Sequence, residues 1–357
     1  MRFCRIALVQ LSVYLFFFCI ALLFLSTVSR AQSQDARQTA HQQQALDKAR
    51  QLEEQRKFSD AIDAYKKANK LDGGKCVPCL SHLCQLYQQA GDNKHAALTA
   101  AQLEQLVTLP ADKATAALLQ GEALLREATR KKKPQLFAQA DAQFKRALQF
   151  QPGMAQPLFL DGLALGRMGN DAGAKAAFAQ YVASSHADPI MQARARRYLT
   201  DIDLVRQNMA PAFSIRTLQG NILSLDNMQG RVVLLDFWAT WCGPCKEELP
   251  RIAEIARRFH GEPLVVLSVS IDSDPVKWQT FVAEHGMTWP QFWDKGGVMA
   301  TTFGVHAIPH YFTIDPRGVL SSENLGSGSD LEGRLKKMVA QAQRMEEQSG
   351  TNSSAGQ

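Results

Sequence analysis

Apolar and polar residues alternate differently in two parts of this 357-residue chain. Residues 36–207 are rich in Ala, Gln, Leu and Lys, contain few strand-like runs, and are broken by Gly, Asp, Asn and Pro about every forty residues. Further along, the apolar run Val232–Leu235 predicts a buried strand, and the amphipathic stretch Lys246–Ile252 predicts a helix. The chain is also longer than one core usually holds, so we expect at least two folded units.

Small and aromatic residues recur within residues 36–207 in the order Ala-x3-Phe-x2-Ala, followed by a proline. The clearest copy is Ala140, Phe144, Ala147 and Pro152. Partial copies are Ala61, Tyr65 and Ala68; Gly162, Ala174 and Phe178 with Pro189; and a weaker one at Ala96 and Ala100. This pattern resembles the tetratricopeptide repeat, which implies stacked helix pairs that bind a protein partner. An irregular helical bundle is the alternative.

The motif Trp241-Cys242-Gly243-Pro244-Cys245 lies between the predicted strand and the predicted helix. A cysteine at a helix N-terminus meets free backbone N–H groups and the positive end of the helix dipole, which favour the thiolate. We therefore predict that Cys242 is a nucleophile and that the more buried Cys245 resolves its mixed disulfide. Gly243 would let a second backbone approach, and Pro244 suits a first helical turn. A structural disulfide or a zinc half-site are the alternatives, although no second Cys or His pair follows at ligand spacing.

The segment Phe237–Lys246 resembles the thioredoxin superfamily, and most of all the exported disulfide reductases of the TlpA/ResA type, which are sometimes grouped with redoxin and AhpC/TSA domains. The resemblance covers about residues 209–346. It is supported by Pro211–Arg231, Val269–Asp272 and Ala307–Asp315. It implies an α/β domain with a central mixed sheet flanked by helices, placed after an all-α helical-repeat array at residues 36–207.

The resemblance also implies site residues. Ile308–Pro309 would be a cis peptide bond facing the two cysteines, with the Ile308 backbone pairing with an extended substrate. Asp236 and Glu248 match the two carboxylate positions that the superfamily uses to exchange protons with the resolving cysteine. Which of them is the principal base stays open, because many ResA-like proteins have a neutral amide at the position of Asp236. Trp241 would border the substrate site.

The first 31 residues have the pattern of a bacterial export signal. Arg2 and Arg5 precede an apolar stretch of about residues 6–28, and Ser29-Arg30-Ala31 supplies small residues for cleavage. We expect an exported, periplasmic protein, with an uncleaved anchor through residues 6–28 as the alternative. Without this segment the chain has 37 basic and 34 acidic residues, and that balance gives no indication of nucleic-acid binding.

A second CxxC occurs at Cys76 and Cys79, followed by His82 and Cys84. Leu80 stands where a haem-attachment motif needs histidine. A zinc site is one alternative, but a local disulfide at the start of a helix is the preferred interpretation, with Cys84 as a buried free thiol. A further hypothesis is that this pair exchanges electrons with Cys242 and Cys245.

These observations predict an exported thiol–disulfide oxidoreductase that reduces disulfides in client proteins and needs no metal or organic cofactor. An electron-donating partner would have to recycle its cysteine pair. The alternatives are a repeat-based binding scaffold with a redox-sensing domain, and a thiol peroxidase. Residues 347–357 are rich in Gln, Ser, Gly and Asn and predict a disordered tail.

Overall fold

The computed structural model describes residues 39–326 and 330–354, the last seven of these as backbone only. The predicted export signal and the alternative anchor at residues 6–28 lie outside this part of the chain. No helix in the described part is long and apolar enough to span a bilayer. Backbone contacts divide the chain into two compact units, with the boundary between Pro152 and Gly153.

The first unit is built from helices. In chain order they are α1 (residues 39–54), α2 (Phe58–Leu71), α3 (Val77–Gln89), α4 (Asn93–Leu106), α5 (Pro110–Lys131) and α6 (Pro134–Phe150). The aromatic and alanine residues of the repeat pattern lie on the buried faces. Phe144 is fully buried on α6 and packs on Gly121 of α5, where a Cβ atom would come within 2.5 Å of its ring. Consecutive helices therefore approach closely where one of them has no side chain.

The second unit begins with three more helices, α7 (Gln156–Arg167), α8 (Asp171–Ala183) and α9 (Pro189–Thr200), and a 3-10 turn. Gly162 of α7 faces Phe178 of α8, and a Cβ atom on this glycine would lie 2.6 Å from the ring. Arg194 and Arg197 of α9 are buried and both reach Asp226, with N–O distances of 2.7 and 3.3 Å. These two buried ion pairs join α9 to the segment that precedes the sheet. The three helices and the sheet therefore belong to one unit.

A five-stranded mixed sheet forms the centre of the second unit, in the order β5-β4-β3-β6-β7. Strands β3 (Val232–Trp238), β4 (Leu264–Ser270) and β5 (Gln291–Trp293) are parallel, whereas β6 (His310–Ile314) and β7 (Leu320–Leu325) are antiparallel. A short hairpin precedes the sheet, β1 (Ser214–Arg216) with β2 (Ile222–Ser224). The helices of this part are α10 (Gly243–Arg258), α11 (Pro275–Glu284), α12 (Val298–Thr302) and α13 (Leu331–Ser354). The fold class predicted from the sequence, helical array and then mixed-sheet domain, is confirmed.

Strand β3 is buried on both faces, and its alternating side chains enter two different cores. Leu234 and Trp238 pack in the core that also contains Cys242 and Cys245, whereas Leu235 and Phe237 pack on the opposite face of the sheet. Asp236 is two residues from both Leu234 and Trp238, and side chains two residues apart in a strand point to the same face. It therefore lies on the face of the sheet that carries the cysteine pair.

The chain end differs from the expectation of a disordered tail. Helix α13 continues through residues 347–354. Arg344, Glu346 and Glu347 are good helix formers, and extending an existing helix costs far less than starting one. Polar composition alone therefore underestimated the reach of this helix.

Candidate active site

The N-terminus of α10 holds the cysteine pair. Cys242 is the N-cap residue, and its Sγ accepts a hydrogen bond from the backbone N–H of Cys245 at 3.2 Å. Pro244 lies in the first turn, as the sequence predicts, and its missing N–H leaves no donor unpaired there. The two sulfur atoms form a disulfide, so the structure represents the oxidised state of the pair.

Both cysteines are 5% exposed, which does not match the expectation that Cys245 is the more buried of the two. The reason is the segment that covers Cys242. The carbonyl oxygen of Ile308 lies 3.9 Å from Cys242 Sγ, and the Ile308–Pro309 peptide bond is cis, as the resemblance implies. Trp241 is 65% exposed beside the pair, whereas Trp238 is buried in the core. Access to Cys242 is therefore bordered by one backbone segment and one exposed indole.

Asp236 lies within the central strand and is buried. Its Oδ2 accepts a hydrogen bond from the Ser268 hydroxyl at 2.8 Å, and Ser268 stands directly opposite in β4. Burial is the main reason that the pKa of Asp236 is raised to about 7. The Ser268 hydrogen bond lowers this pKa, and the charge of Glu248 raises it. A carboxyl with a pKa near neutrality can accept and release a proton at physiological pH.

Ser268 is itself held by a third side chain. The indole N–H of Trp289 donates to Ser268 Oγ at 2.8 Å, and both residues are buried. Because the serine oxygen accepts this bond, its own proton is directed at Asp236. A chain of hydrogen bonds therefore runs from Trp289 through Ser268 to the carboxylate.

Glu248 lies one helical turn after Cys245, and its side chain is 13% exposed. Its carboxylate pairs with Arg251 at 3.1 Å. Tyr311, opposite Asp236 in β6, has its pKa raised, first by burial and then by the charges of Asp236 and Glu248. The two carboxylates and the phenol therefore share one electrostatic environment under α10.

The sequence reasoning missed Ser268 and Trp289. A signal was present for the first, since Ser268 and Ser270 are polar residues within a strand that is otherwise apolar and buried. The role of Trp289 could be found only from the folded chain, because it reaches Ser268 from the segment before β5. Thr240, next to the motif, is also held: its hydroxyl donates to Asp272 at 2.7 Å.

The second cysteine pair lies in the first unit. Cys76 and Cys79 form a disulfide at the start of α3, and Cys84 is a buried free thiol. His82 stacks on Tyr65, and its Nδ1 lies 2.9 Å from Glu53. Across the part of the chain that the structure describes, no cluster of three or more His, Cys, Asp or Glu side chains could hold a metal ion.

Comparison with known proteins agrees with this geometry. Residues 207–322 match the AhpC/TSA family. The chain is 32% identical over 132 residues to the thiol-disulfide oxidoreductase ResA of Bacillus thuringiensis strain Al Hakam, covering 36% of this chain and 76% of that protein. It is 31% identical over 130 residues to the thioredoxin-like protein YneN of Bacillus subtilis strain 168, covering 36% and 75%.

A solved structure also matches: the thioredoxin domain of a thiol-disulfide oxidoreductase from Bacteroides vulgatus is 28% identical, with 37% of this chain and 97% of that chain covered and a TM-score of 0.34. The family match, residues 207–322, includes Cys242 and Cys245. This chain belongs to the family of thioredoxin-like thiol–disulfide oxidoreductases that includes ResA.

Proposed function

We propose that this chain reduces disulfide bonds in client proteins outside the cytoplasm, using Cys242 as nucleophile and Cys245 as resolving cysteine. The observation that carries the proposal is the position of Cys242 Sγ, at the N-cap of α10 and 3.9 Å from the Ile308 carbonyl. An extended client segment can pair with the exposed edge of that backbone while its disulfide meets the sulfur. Trp241 provides an apolar border for the same segment.

The reaction proceeds through two exchanges. In the reduced protein the Cys242 thiolate attacks a client disulfide, one client thiolate leaves, and a mixed disulfide forms. Cys245 then loses its proton to Asp236, attacks Cys242 Sγ and releases the second client thiol, leaving Cys242 and Cys245 joined. An external dithiol donor restores the reduced pair. Glu248 supplies the negative charge that keeps Asp236 basic and is the second candidate proton acceptor.

The direct test is turnover of a protein disulfide, with insulin as substrate and dithiothreitol as donor. We expect Cys245→Ser, reduced beforehand and separated from dithiothreitol, to form a stable mixed disulfide with the substrate, visible on a non-reducing gel, because the nucleophile remains and the resolving thiol is gone. Trp238→Phe is a matched control in the nearby core. If Cys245→Ser forms no adduct while Cys242→Ser does, the assignment of the two roles is wrong.

The same cysteine variants distinguish the two alternative functions, a thiol peroxidase and a binding scaffold. A thiol peroxidase would need a hydroxyl donor at its cysteine, whereas the Thr240 hydroxyl donates to Asp272. Rapid peroxide consumption that persists in Cys245→Ser would favour that function. A binding scaffold would capture its partner equally well in wild-type protein and in Cys242→Ser, and it would show no insulin turnover.

We propose further that the helical region recruits a protein partner. Leu98 on α4 is 59% exposed and lines a cavity of about 430 Å³ together with residues of α5 and α6. Leu98→Asp should weaken partner capture and leave insulin reduction unchanged. Loss of insulin reduction in this variant would show instead that Leu98 supports the fold.

The extracytoplasmic location rests on residues 1–31. A fusion of this segment to alkaline phosphatase, which is active only outside the bacterial cytoplasm, should give activity. N-terminal sequencing of the full-length product then distinguishes cleavage after Ala31 from retention of residues 6–28 as an anchor. An inactive fusion would contradict export.

A further inference from the structure

The two cysteine pairs of this chain have the same local structure. Each has a proline directly before its second cysteine, at the start of a helix. In each, the first cysteine is the N-cap, and its Sγ accepts the backbone N–H of the second at 3.2 Å. Cys76 is 8% exposed, slightly more than the 5% of Cys242, while Cys79 is fully buried. Cys76 is therefore exposed to about the same small extent as Cys242.

A titratable side chain follows the inner cysteine by three residues in both places. It is Glu248 after Cys245 and His82 after Cys79, and such spacing places both groups on the same side of the helix as the cysteine. An imidazole nitrogen can exchange a proton with a thiol. The sequence around Cys76 thus supplies a nucleophile, a resolving thiol and a proton acceptor in the same order.

Residues from two neighbouring helices contact His82. Its Nδ1 lies 2.9 Å from Glu53 Oε2 of α1, and its ring stacks on Tyr65 of α2 at 4.9 Å between centroids. The Tyr65 hydroxyl donates to the same Glu53 oxygen at 2.7 Å. A disulfide whose only role is to fix the start of a helix would not need these contacts around His82.

A small cavity of about 350 Å³ opens beside the pair. Lys75, Cys76, Val77 and Pro78 line one side of it, and Leu46 and Asp72 contribute to the rest. This volume is at the lower end of the range for small-molecule sites. The cis-proline segment that lies against Cys242 has no counterpart at Cys76 within the described residues. The surroundings suit a low-molecular-weight thiol better than an extended polypeptide.

We infer that Cys76 and Cys79 form a second thiol–disulfide exchange centre, which reacts with low-molecular-weight dithiols and disulfides. A thiolate of an external dithiol attacks Cys76 Sγ, the bond between Cys76 and Cys79 breaks, and the Cys79 thiolate takes a proton from His82. The second donor thiol then attacks its partner sulfur in the mixed disulfide and releases Cys76. The donor leaves as a disulfide, and the protein has gained two electrons and two protons. The reverse sequence reduces a small disulfide.

The test uses the full-length double variant Cys242→Ser/Cys245→Ser in native buffer, so that the first centre cannot contribute. The protein is incubated with dithiothreitol, blocked with N-ethylmaleimide, and analysed peptide by peptide by mass spectrometry. We expect Cys76 to be labelled within minutes, whereas Cys84 stays unlabelled. After removal of the donor, bis(2-hydroxyethyl) disulfide should reoxidise the pair and release two equivalents of 2-mercaptoethanol.

Cys84 provides the internal control, because it is fully buried and can be labelled only if the unit opens. Labelling of Cys84 at the same rate, or reduction of the pair only in denaturant, would show a purely structural disulfide and overturn the inference. His82→Gln should slow the exchange about tenfold or more without changing the final extent of reduction, since a group that only delivers the proton affects the rate and not the equilibrium. A changed extent with an unchanged rate would instead assign His82 a structural role.

The result of this test on Cys76 and Cys79 does not depend on whether the proposed function is correct. Insulin reduction by Cys76→Ser/Cys79→Ser tests Cys242 and Cys245 alone, and Cys242→Ser/Cys245→Ser tests Cys76 and Cys79 alone. Failure of one centre therefore leaves the other assignment intact.

Discussion

The cysteine pairs Cys76/Cys79 and Cys242/Cys245 begin helices in the same way and differ in what surrounds them. Around Cys242 the structure places a neighbouring backbone carbonyl, an exposed indole and a buried carboxyl whose pKa is about 7. Around Cys76 it places a histidine held by Glu53 and Tyr65, and a small cavity. The helix start sets the geometry of the thiols, whereas the neighbouring elements determine which substrate reaches them and where the proton goes.

The largest expected difference concerns protein substrates. Cys242→Ser should lower insulin reduction by at least roughly 10³-fold, because the attacking atom is lost. Cys76→Ser/Cys79→Ser should change it less than twofold, because the backbone of Ile308, which would pair with an extended substrate, lies beside the other pair. Turnover with dithiothreitol as donor measures both. A large loss in the Cys76/Cys79 variant would mean that the two centres work in series on protein substrates.

The second prediction concerns stability and the buried acid. Asp236 has a pKa of about 7 in the folded chain, above its ordinary value of 3.8. Between these pH values the folded state holds a proton on Asp236 that the unfolded state has released. The stability that the protonated carboxyl contributes is therefore present at low pH and is lost as the pH rises through 7. Asp236→Asn should therefore stabilise the oxidised protein, with a gain about 3 kcal/mol larger at pH 8 than at pH 5.

Urea unfolding at the two pH values measures this gain. Asp294→Asn is the matched control, because its carboxylate accepts the backbone N–H groups of Met299 and Ala300 at 2.9 and 2.8 Å. That variant should be less stable than the parent at pH 8, opposite in sign to Asp236→Asn. An equal gain for Asp236→Asn at both pH values would show that the carboxyl titrates normally.

The two regions also differ in how far the sequence predicts them. The strand, motif and helix around Cys242 are adjacent in the chain, so the residue types indicate the nucleophile at a helix start, and the family resemblance adds the buried acid. Ser268 was missed because its relation to Asp236 depends on the register between β3 and β4. Trp289 was missed because it lies in an irregular segment before β5. Only the folded chain brings its indole N–H to Ser268.

In the helical unit the repeat pattern located the buried faces but not every partner. Phe144 was recognised, whereas Gly121, on which its ring packs, was not, since an isolated glycine within a helical pattern carries no pairing information. The tie between His82, Glu53 and Tyr65 likewise depends on three helices meeting. Short-range patterns therefore predict elements, and the contacts between elements have to be seen in the fold.

The third prediction concerns the hydrogen bond to Asp236. Ser268→Ala removes a donor to the carboxylate and should raise the pKa of Asp236 further. The acid side of the pH profile for resolution of the mixed disulfide should shift upward by about one unit, since a hydrogen bond to a charged group is worth about 1.5–3 kcal/mol. Stopped-flow measurement of thiol release gives the profile. Ser322→Ala, which removes a hydroxyl paired with Thr313, is the control and should leave the midpoint unchanged.

The smallest effect is expected from the outer end of the same chain of hydrogen bonds. Trp289→Phe keeps most of the buried ring but removes the indole N–H that donates to Ser268 at 2.8 Å. The serine hydroxyl then remains beside Asp236 but is free to rotate, so the midpoint should move in the same direction as in Ser268→Ala and by less than about half a unit. The double variant should shift no further than Ser268→Ala alone, because Trp289 acts through that hydroxyl. Additive shifts would show that Trp289 affects the carboxyl by packing instead, and the hydrogen-bond chain would then play no part in setting the proton acceptor.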